Sequence, residues 1–330
     1  MLKLFSIKQV NRCSRRALLT AMSGAVVALA APSVFAVDRP PLRVVASFSV
    51  LGDMVKEIGG EHVALTTIVG PNADAHSFEP TPQDVKALSQ AQVLVINGLD
   101  FEAWLPRLIN AAGFKGAQVL ASEGIAVRQL DDGGHAHGAG QPHGVGESHE
   151  GAPDVDPHAW QRLDNGMIYA RNIAEGLARS DPRRRSYYIG RAHAYIGKMK
   201  TLDTEIKQAI AAIPPDRRKV ITSHDAFGYF AQAYGIEFIS VAGLSSQAEP
   251  SAKEVAAIID RAKKEGIAGV FIENITNSKL VTQIAKESGI KIGSTLYSDA
   301  LSNPDRPAAT YLGMFSWNAG QLIYVLKPEK

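Results

Sequence analysis

From Leu42 onward, short apolar runs alternate with helical patterns. Leu42 to Phe48 and Val63 to Val69 read as β-strands, with Val50 to Ile58 as a helix between them. Pro80-Thr81-Pro82 opens another helix. Thr81 suits the N-cap, Pro82 the first helical position, and Asp84 stands three residues after the cap, where the helix dipole favours an acid. Val93 to Ile96 follows as a strand, Glu102 to Ala112 as a helix and Ala117 to Ala121 as a strand. This βαβα order predicts a mainly parallel sheet covered by helices.

A glycine- and histidine-bearing loop of about 20 residues comes next, long enough to suggest a functional insertion. Trp160 to Ala178 then reads as a helix. From a capped start at Asp181-Pro182, Arg183 to Ile213 keeps one unbroken helical pattern, ended by Pro214-Pro215. About 31 residues at 1.5 Å each give roughly 45 Å, the length of a small domain, so this helix reads as a rigid spine. A second α/β unit begins after it. Its strands are Lys219 to Thr222, Glu237 to Val241, Ala268 to Ile272 and Lys291 to Ser294. Its helices are Phe227 to Tyr234, Ala252 to Lys264, Ser278 to Glu287 and, last, Pro307 to Leu326. The fold class expected is therefore α/β, with two similar lobes joined by one long helix. The divisions are an N-terminal lobe at 37–180 including the loop 131–153, a spine at 181–214 and a C-terminal lobe at 215–330. Ligands of open parallel sheets bind beyond the carboxyl ends of the strands, so the cleft between the lobes is the place to look for chemistry.

The first 36 residues carry a different pattern. Lys3, Lys8, Arg12, Arg15 and Arg16 precede an apolar stretch from Ala17 to Ala31, and Val34-Phe35-Ala36 offers small residues for cleavage after Ala36. Arg15 and Arg16 directly before the apolar run give it the look of a twin-arginine export signal. The run is shorter than the roughly 20 residues that span a bilayer. The only cysteine, Cys13, lies before the apolar run and not at the cleavage point, which argues against a lipid anchor. Removing the segment takes the formal charge from +2 to −3. That balance gives no reason to expect nucleic acid or an anionic membrane as partner. With no other cysteine, the exported chain must rely on its core, and any metal site must use His and carboxylate.

Candidate chemistry is concentrated in histidine. Four of the nine histidines, His135, His137, His143 and His149, fall within fifteen residues among glycines, a composition suited to wrapping a borderline-soft cation such as Zn²⁺. Ordering so many glycines is entropically costly, so this loop should bind more weakly than a preorganised site. Four further donors occupy predicted loops at the ends of strands or starts of helices: His76 after the second strand, His158 in Asp156-Pro157-His158-Ala159-Trp160, His224 in Ser223-His224-Asp225-Ala226-Phe227, and Asp299 in Leu296-Tyr297-Ser298-Asp299. Asp156 is a candidate N-cap there, with Pro157 as the first helical residue. Three imidazoles and a carboxylate suit tetrahedral Zn²⁺. Each imidazole needs an acceptor on its other nitrogen, and Glu79, Asp225 and Asp156 are near in sequence. Glu273, also at a strand end, competes with Asp299 for the fourth position.

These motifs, in this order and spacing over nearly the whole exported chain, resemble the metal-binding solute receptors of zinc and manganese ABC importers, the ZnuA/TroA type. The resemblance implies a non-enzymatic periplasmic receptor with His76, His158, His224 and Asp299 as ligands and Zn²⁺ as cargo. Histidine at the third position is the zinc receptors' choice, where manganese receptors tend to carry Glu. It implies an inner-membrane ABC permease as partner, with a periplasmic metallochaperone as a further candidate, and a monomeric receptor. The rival class, a zinc hydrolase, needs an open fourth position. The chain has no His-Glu-x-x-His motif and no nucleophile elbow. A manganese receptor is the alternative within the family. His62, His193 and Trp160 read as structural or solvated residues, and Arg183-Arg184-Arg185 as a solvated face.

Overall fold

The computed structural model describes residues 40–129, 155–243 and 250–327. The expected export signal and the segment bearing His135, His137, His143 and His149 lie outside them. The N-terminal lobe runs β1 (Leu42–Phe48), α1 (Ser49–Gly59), β2 (Val63–Val69), α2 (Pro82–Ser89), β3 (Val93–Ile96), α3 (Leu105–Ala112) and β4 (Ala117–Leu120). Its strands are all parallel, in the order β2-β1-β3-β4. Central β1 is apolar on both faces, with Val44, Val45, Ala46 and Phe48 all buried, as a strand covered on both sides must be. Helices α4 (Leu163–Ser180) and α5 (Arg185–Ala211) follow. The C-terminal lobe is built from β5 (Lys219–Thr222), α6 (Gly228–Tyr234), β6 (Glu237–Ser240), α7 (Ala252–Lys264), β7 (Gly269–Val270), α8 (Lys279–Ser288) and α9 (Tyr311–Leu326). Its parallel sheet has the order β6-β5-β7.

Helix α5, 27 residues and so about 40 Å long, packs on α1 and α4 of one lobe and on α6 and α9 of the other. Of its buried positions, Tyr188, Ala192, Tyr195, Met199, Asp203, Ile206 and Ile210 recur every three or four residues and form one stripe, which Ile196 widens beside Tyr195. The core is continuous across the lobes. Phe48, Trp160 and Tyr169 belong to the same cluster as Phe227, Phe271, Tyr311 and Phe315. A smaller cluster, with Ile221, Ile239, Ile259 and Ile284, joins the second sheet to α7 and α8.

Several boundaries differ from the sequence expectation. The third helix starts at Leu105 instead of Glu102, because the Glu102 carboxylate turns inward to accept hydrogen bonds from the N–H groups of Asn97 and Gly98 and from the Ser47 hydroxyl. The helix expected from Trp160 is a 3₁₀ turn at Ala159–Gln161, with α4 following. Asp181 does not cap α5; its carboxylate takes Arg184 and the Tyr188 hydroxyl. Lys291 to Ser294 makes no strand. Ile292 and Leu296 only bridge, in parallel, to Val270 and Glu273. Gly293 lies tight against the Phe271 ring, where a side chain would clash.

Candidate metal centre

In both sheets the strand order reverses beside the first strand, so loops diverge there and leave a crevice at the carboxyl ends. His224 follows β5 and Glu273 follows β7, on either side of that point in the second sheet. His76 leaves the β2–α2 loop, which Asp74 shapes by accepting from the His76 N–H at 2.8 Å and the Ser77 hydroxyl at 2.8 Å. Trp104 pins the loop by donating from Nε1 to the Ala75 carbonyl, and the His76 ring stands edge-on to Phe101. His158 immediately precedes the 3₁₀ turn and packs against buried Trp160. Trp160 Nε1 and Gln161 Nε2 both donate to the Ser298 carbonyl, at 2.9 and 2.6 Å. First-lobe residues thus hold the backbone next to Asp299.

The four side chains converge. One donor atom from each of His76, His158, His224 and Asp299 lies within 4.8 Å of all the others. His76 Nε2 is 3.2 Å from His158 Nε2 and 3.2 Å from Asp299 Oδ2. His224 Nε2 is 3.1 Å from Asp299 Oδ2, and His158 Nε2 is 3.5 Å from Asp299 Oδ1. Donors at 2.0–2.2 Å from a tetrahedral ion stand roughly 3.3–3.6 Å apart, so these four contacts come within a few tenths of an ångström of that frame, inside a donor set that spans up to 4.8 Å. His158, His224 and Asp299 are completely buried, and the His76 side chain is 11 % exposed. The cleft expected between the lobes is here a closed junction, with His76 its most accessible donor.

Two imidazoles have a carboxylate against Nδ1, as a hydrogen bond at His158 and as an ion-pair contact at His224. Asp156 Oδ1 accepts from the His158 N–H at 3.0 Å and lies 2.8 Å from its Nδ1. Glu273 accepts from the His224 N–H at 3.0 Å and places its other oxygen 2.7 Å from His224 Nδ1. A carboxylate on Nδ1 holds the proton there and leaves Nε2 free for an ion. Asp156 is therefore not an N-cap. Glu79 is exposed and near Arg107, and the carboxylates at Nδ1 of His158 and His224 are Asp156 and Glu273, not Asp225. Glu273 lies on the far side of His224 from Asp299, supporting the imidazole instead of competing for the fourth corner. Sequence reasoning marked it as a strand-end acid, but spacing could not tell which face of His224 it meets.

The charges reinforce one another. Burial opposes a charge on His158, but Asp299 and Asp156 outweigh it and lift its pKa to about 9. His224 behaves likewise: burial lowers its pKa, and Glu273 and Asp299 together carry it well above the usual value. Burial would raise Asp299, yet His158 and His224 hold it well below the carboxylate range. Such a site binds either protons or a cation, and a divalent ion must displace the protons. His62 packs at a tilt against Tyr187 and His193 is exposed on α5, away from this chemistry.

Two α/β lobes on a long helix, closing over convergent nitrogen and carboxylate donors, define a solute receptor of the kind that serves metal importers. The family described as "Zinc-uptake complex component A periplasmic" matches residues 44–324. The iron ABC transporter substrate-binding lipoprotein MtsA of Streptococcus pyogenes is 32% identical over 287 residues, covering 85% of this chain and 87% of the relative. The manganese ABC transporter substrate-binding lipoprotein PsaA of Streptococcus pneumoniae is 31% identical over 283 residues, covering 84% and 86%. The periplasmic zinc-binding protein TroA of Treponema pallidum superposes with a TM-score of 0.77 at 26% identity, covering 87% of this chain and all of that one. The chain belongs to the ZnuA/TroA-type family of periplasmic metal-binding receptors of ABC importers, which are substrate-binding proteins and not enzymes.

Proposed function

We propose that this receptor captures Zn²⁺ through His76, His158, His224 and Asp299 and delivers it to an inner-membrane ABC permease. The observation that carries the reading is the convergence of three Nε2 atoms and one carboxylate, drawn from both lobes, at separations close to those of a tetrahedral ion. Nitrogen-rich donor sets favour zinc over the harder manganese ion. The exported chain from residue 37 acts as a monomer, and a periplasmic metallochaperone can load it. The segment with His135, His137, His143 and His149 serves as a tethered capture arm that raises the local zinc concentration. A competitive Zn²⁺ titration of the metal-stripped protein, in parallel with His224→Ala and with residues 131–151 deleted, tests both roles. One tight site, lost with His224 and kept without the loop, supports the receptor; tight binding that disappears with the loop instead refutes it. Unchanged metal transfer and uptake under zinc limitation after the deletion would remove the capture arm.

One observation favours a second reading, a larger divalent cargo such as manganese or iron. Asp299 Oδ1 is buried without a hydrogen-bond partner among the described residues and could supply a fifth donor. Affinity alone does not decide, since zinc outcompetes manganese at almost any such site. The metal content of the protein isolated from cells, together with its coordination number by X-ray absorption, separates the two.

A further inference from the structure

The histidine-bearing segment leaves and rejoins the described fold at an antiparallel bridge between Gln129 and Val155. Arg128 and Asp156 flank that bridge and are joined twice. The Arg128 carbonyl accepts from the Asp156 N–H at 3.0 Å, and Arg128 Nη1 donates to Asp156 Oδ2 at 2.9 Å. The Asp156 carboxylate is therefore shared, one oxygen for Arg128 and the other for the backbone and ring of His158. The second lobe closes over this pair. The Tyr229 hydroxyl accepts from the Arg128 N–H at 2.8 Å and donates to the Asp156 carbonyl at 3.3 Å. Gly228, at the start of α6, has no side chain to spare: a β-carbon there would overlap the Arg128 guanidinium and lie 2.7 Å from Asp156 Oδ2.

We propose that Arg128 and Tyr229 are positioning residues for the metal site: clamped between them, Asp156 aims His158 Nε2 at the cargo only while the second lobe is seated. This rests on the receptor reading above, in which His158 is a ligand. Asp156 is fully buried, so without Arg128 its carboxylate loses the one cationic partner it has outside the site among the described residues, and with it the fixed orientation it imposes on the imidazole. Tyr229 belongs to the second lobe, yet both of its hydroxyl contacts are to the first. When the lobes part, those contacts break and the Arg128–Asp156 pair that orients His158 loses the group that confines its backbone. Opening therefore weakens the site beyond the loss of the second-lobe donors, which favours release at the permease.

The test compares Zn²⁺ affinity and chelator-driven release for Arg128→Gln, Arg128→Lys, Tyr229→Phe, His158→Ala and the Arg128→Gln/His158→Ala double variant of the full exported chain. Arg128→Gln should weaken binding about 10-fold, the low end for groups supporting a ligand, and Arg128→Lys should recover most of that loss. Tyr229→Phe, which removes one oxygen and no bulk, should speed release while leaving the metal-free melting curve in place. In the His158→Ala background Arg128→Gln should add nothing, because its effect travels through that imidazole. The proposal is overturned if His158→Ala weakens binding while Arg128→Gln and Tyr229→Phe bind and release zinc as the wild type does. It is equally overturned if Arg128→Gln costs as much without His158 as with it. Unchanged binding by His158→Ala would instead overturn the site assignment itself, and this inference with it.

Discussion

Glu273→Gln isolates the support of a ligand from the ligand. The change keeps the side chain's shape, and the amide oxygen can go on accepting from the His224 N–H, now at 3.0 Å. What it removes is the anionic acceptor 2.7 Å from His224 Nδ1. The amide nitrogen placed there meets an N–H, two donors face to face, and the imidazole is driven toward the tautomer that carries its proton on Nε2, where the ion should sit. Losses of this kind cost roughly 10- to 100-fold in metal affinity, or about 1.4–2.7 kcal/mol. The effect should depend on pH in a definite sense. Glu273 is the largest of the groups raising the His224 pKa, so the variant binds protons less tightly and meets less proton competition in acid. The deficit should therefore be larger at pH 8 than at pH 6. Competition against a chromophoric chelator at both pH values reads it directly. Affinity within about twofold of wild type at pH 8 would refute the reasoning. A loss far beyond 100-fold with one donor missing by X-ray absorption would mean that Glu273 is itself a ligand.

Metal affinity of the wild type should rise by about tenfold per pH unit for each proton displaced, up to the His158 pKa of about 9, and proton release on zinc addition in weak buffer should confirm the stoichiometry. Thr81→Ala removes a complete capping box, in which Thr81 and Asp84 satisfy each other's backbone N–H, and should cost about 0.5–2 kcal/mol in urea unfolding without altering zinc binding. Asp53, on α1, accepts from the Tyr311 N–H of α9 and is raised to about 6, chiefly by burial. A carboxyl raised on folding stabilises below its unfolded value and loses that contribution as pH climbs through 6. Asp53→Asn keeps the acceptor, so its denaturation midpoint should exceed the wild type's at pH 8 and vary less between pH 4 and 6.

What the sequence made legible was local. β1, β2, β3, β5 and α7 have the bounds that their apolar runs and caps dictate, because a strand buried on both faces or a Ser251–Glu254 capping box leaves little choice. The four converging donors were legible as well, since each sits in a loop that the strand order must direct toward one crevice. The errors came where a side chain took a partner other than the cap, helix turn or metal corner that its position suggested. Glu102 gives up a turn of helix to satisfy Asn97 and Gly98, and Asp156 and Glu273 take up imidazoles instead of a cap or a metal corner. The Glu273–His224 contact spans 49 residues, beyond any windowed pattern, while the Glu102 and Asp156 contacts are local but break the helical period that a pattern search follows. Arg128 and Tyr229 carried no signal at all; an arginine beside a loop and a tyrosine on a helix are ordinary until the fold stacks them on Asp156.

The core that runs unbroken from Phe48 through Trp160 to Phe271 and Phe315 has a consequence for the protein's life in the cell. Lobes that share one core have no separate unfolding transitions to fall back on, so an ion held at their junction stabilises the whole chain at once. At a free metal concentration of a thousand times Kd that amounts to about 4 kcal/mol, a thousandfold fewer unfolded molecules for proteases to attack. A starved cell would thus clear its empty receptors faster than its filled ones, and the amount of receptor would itself record the supply of its cargo.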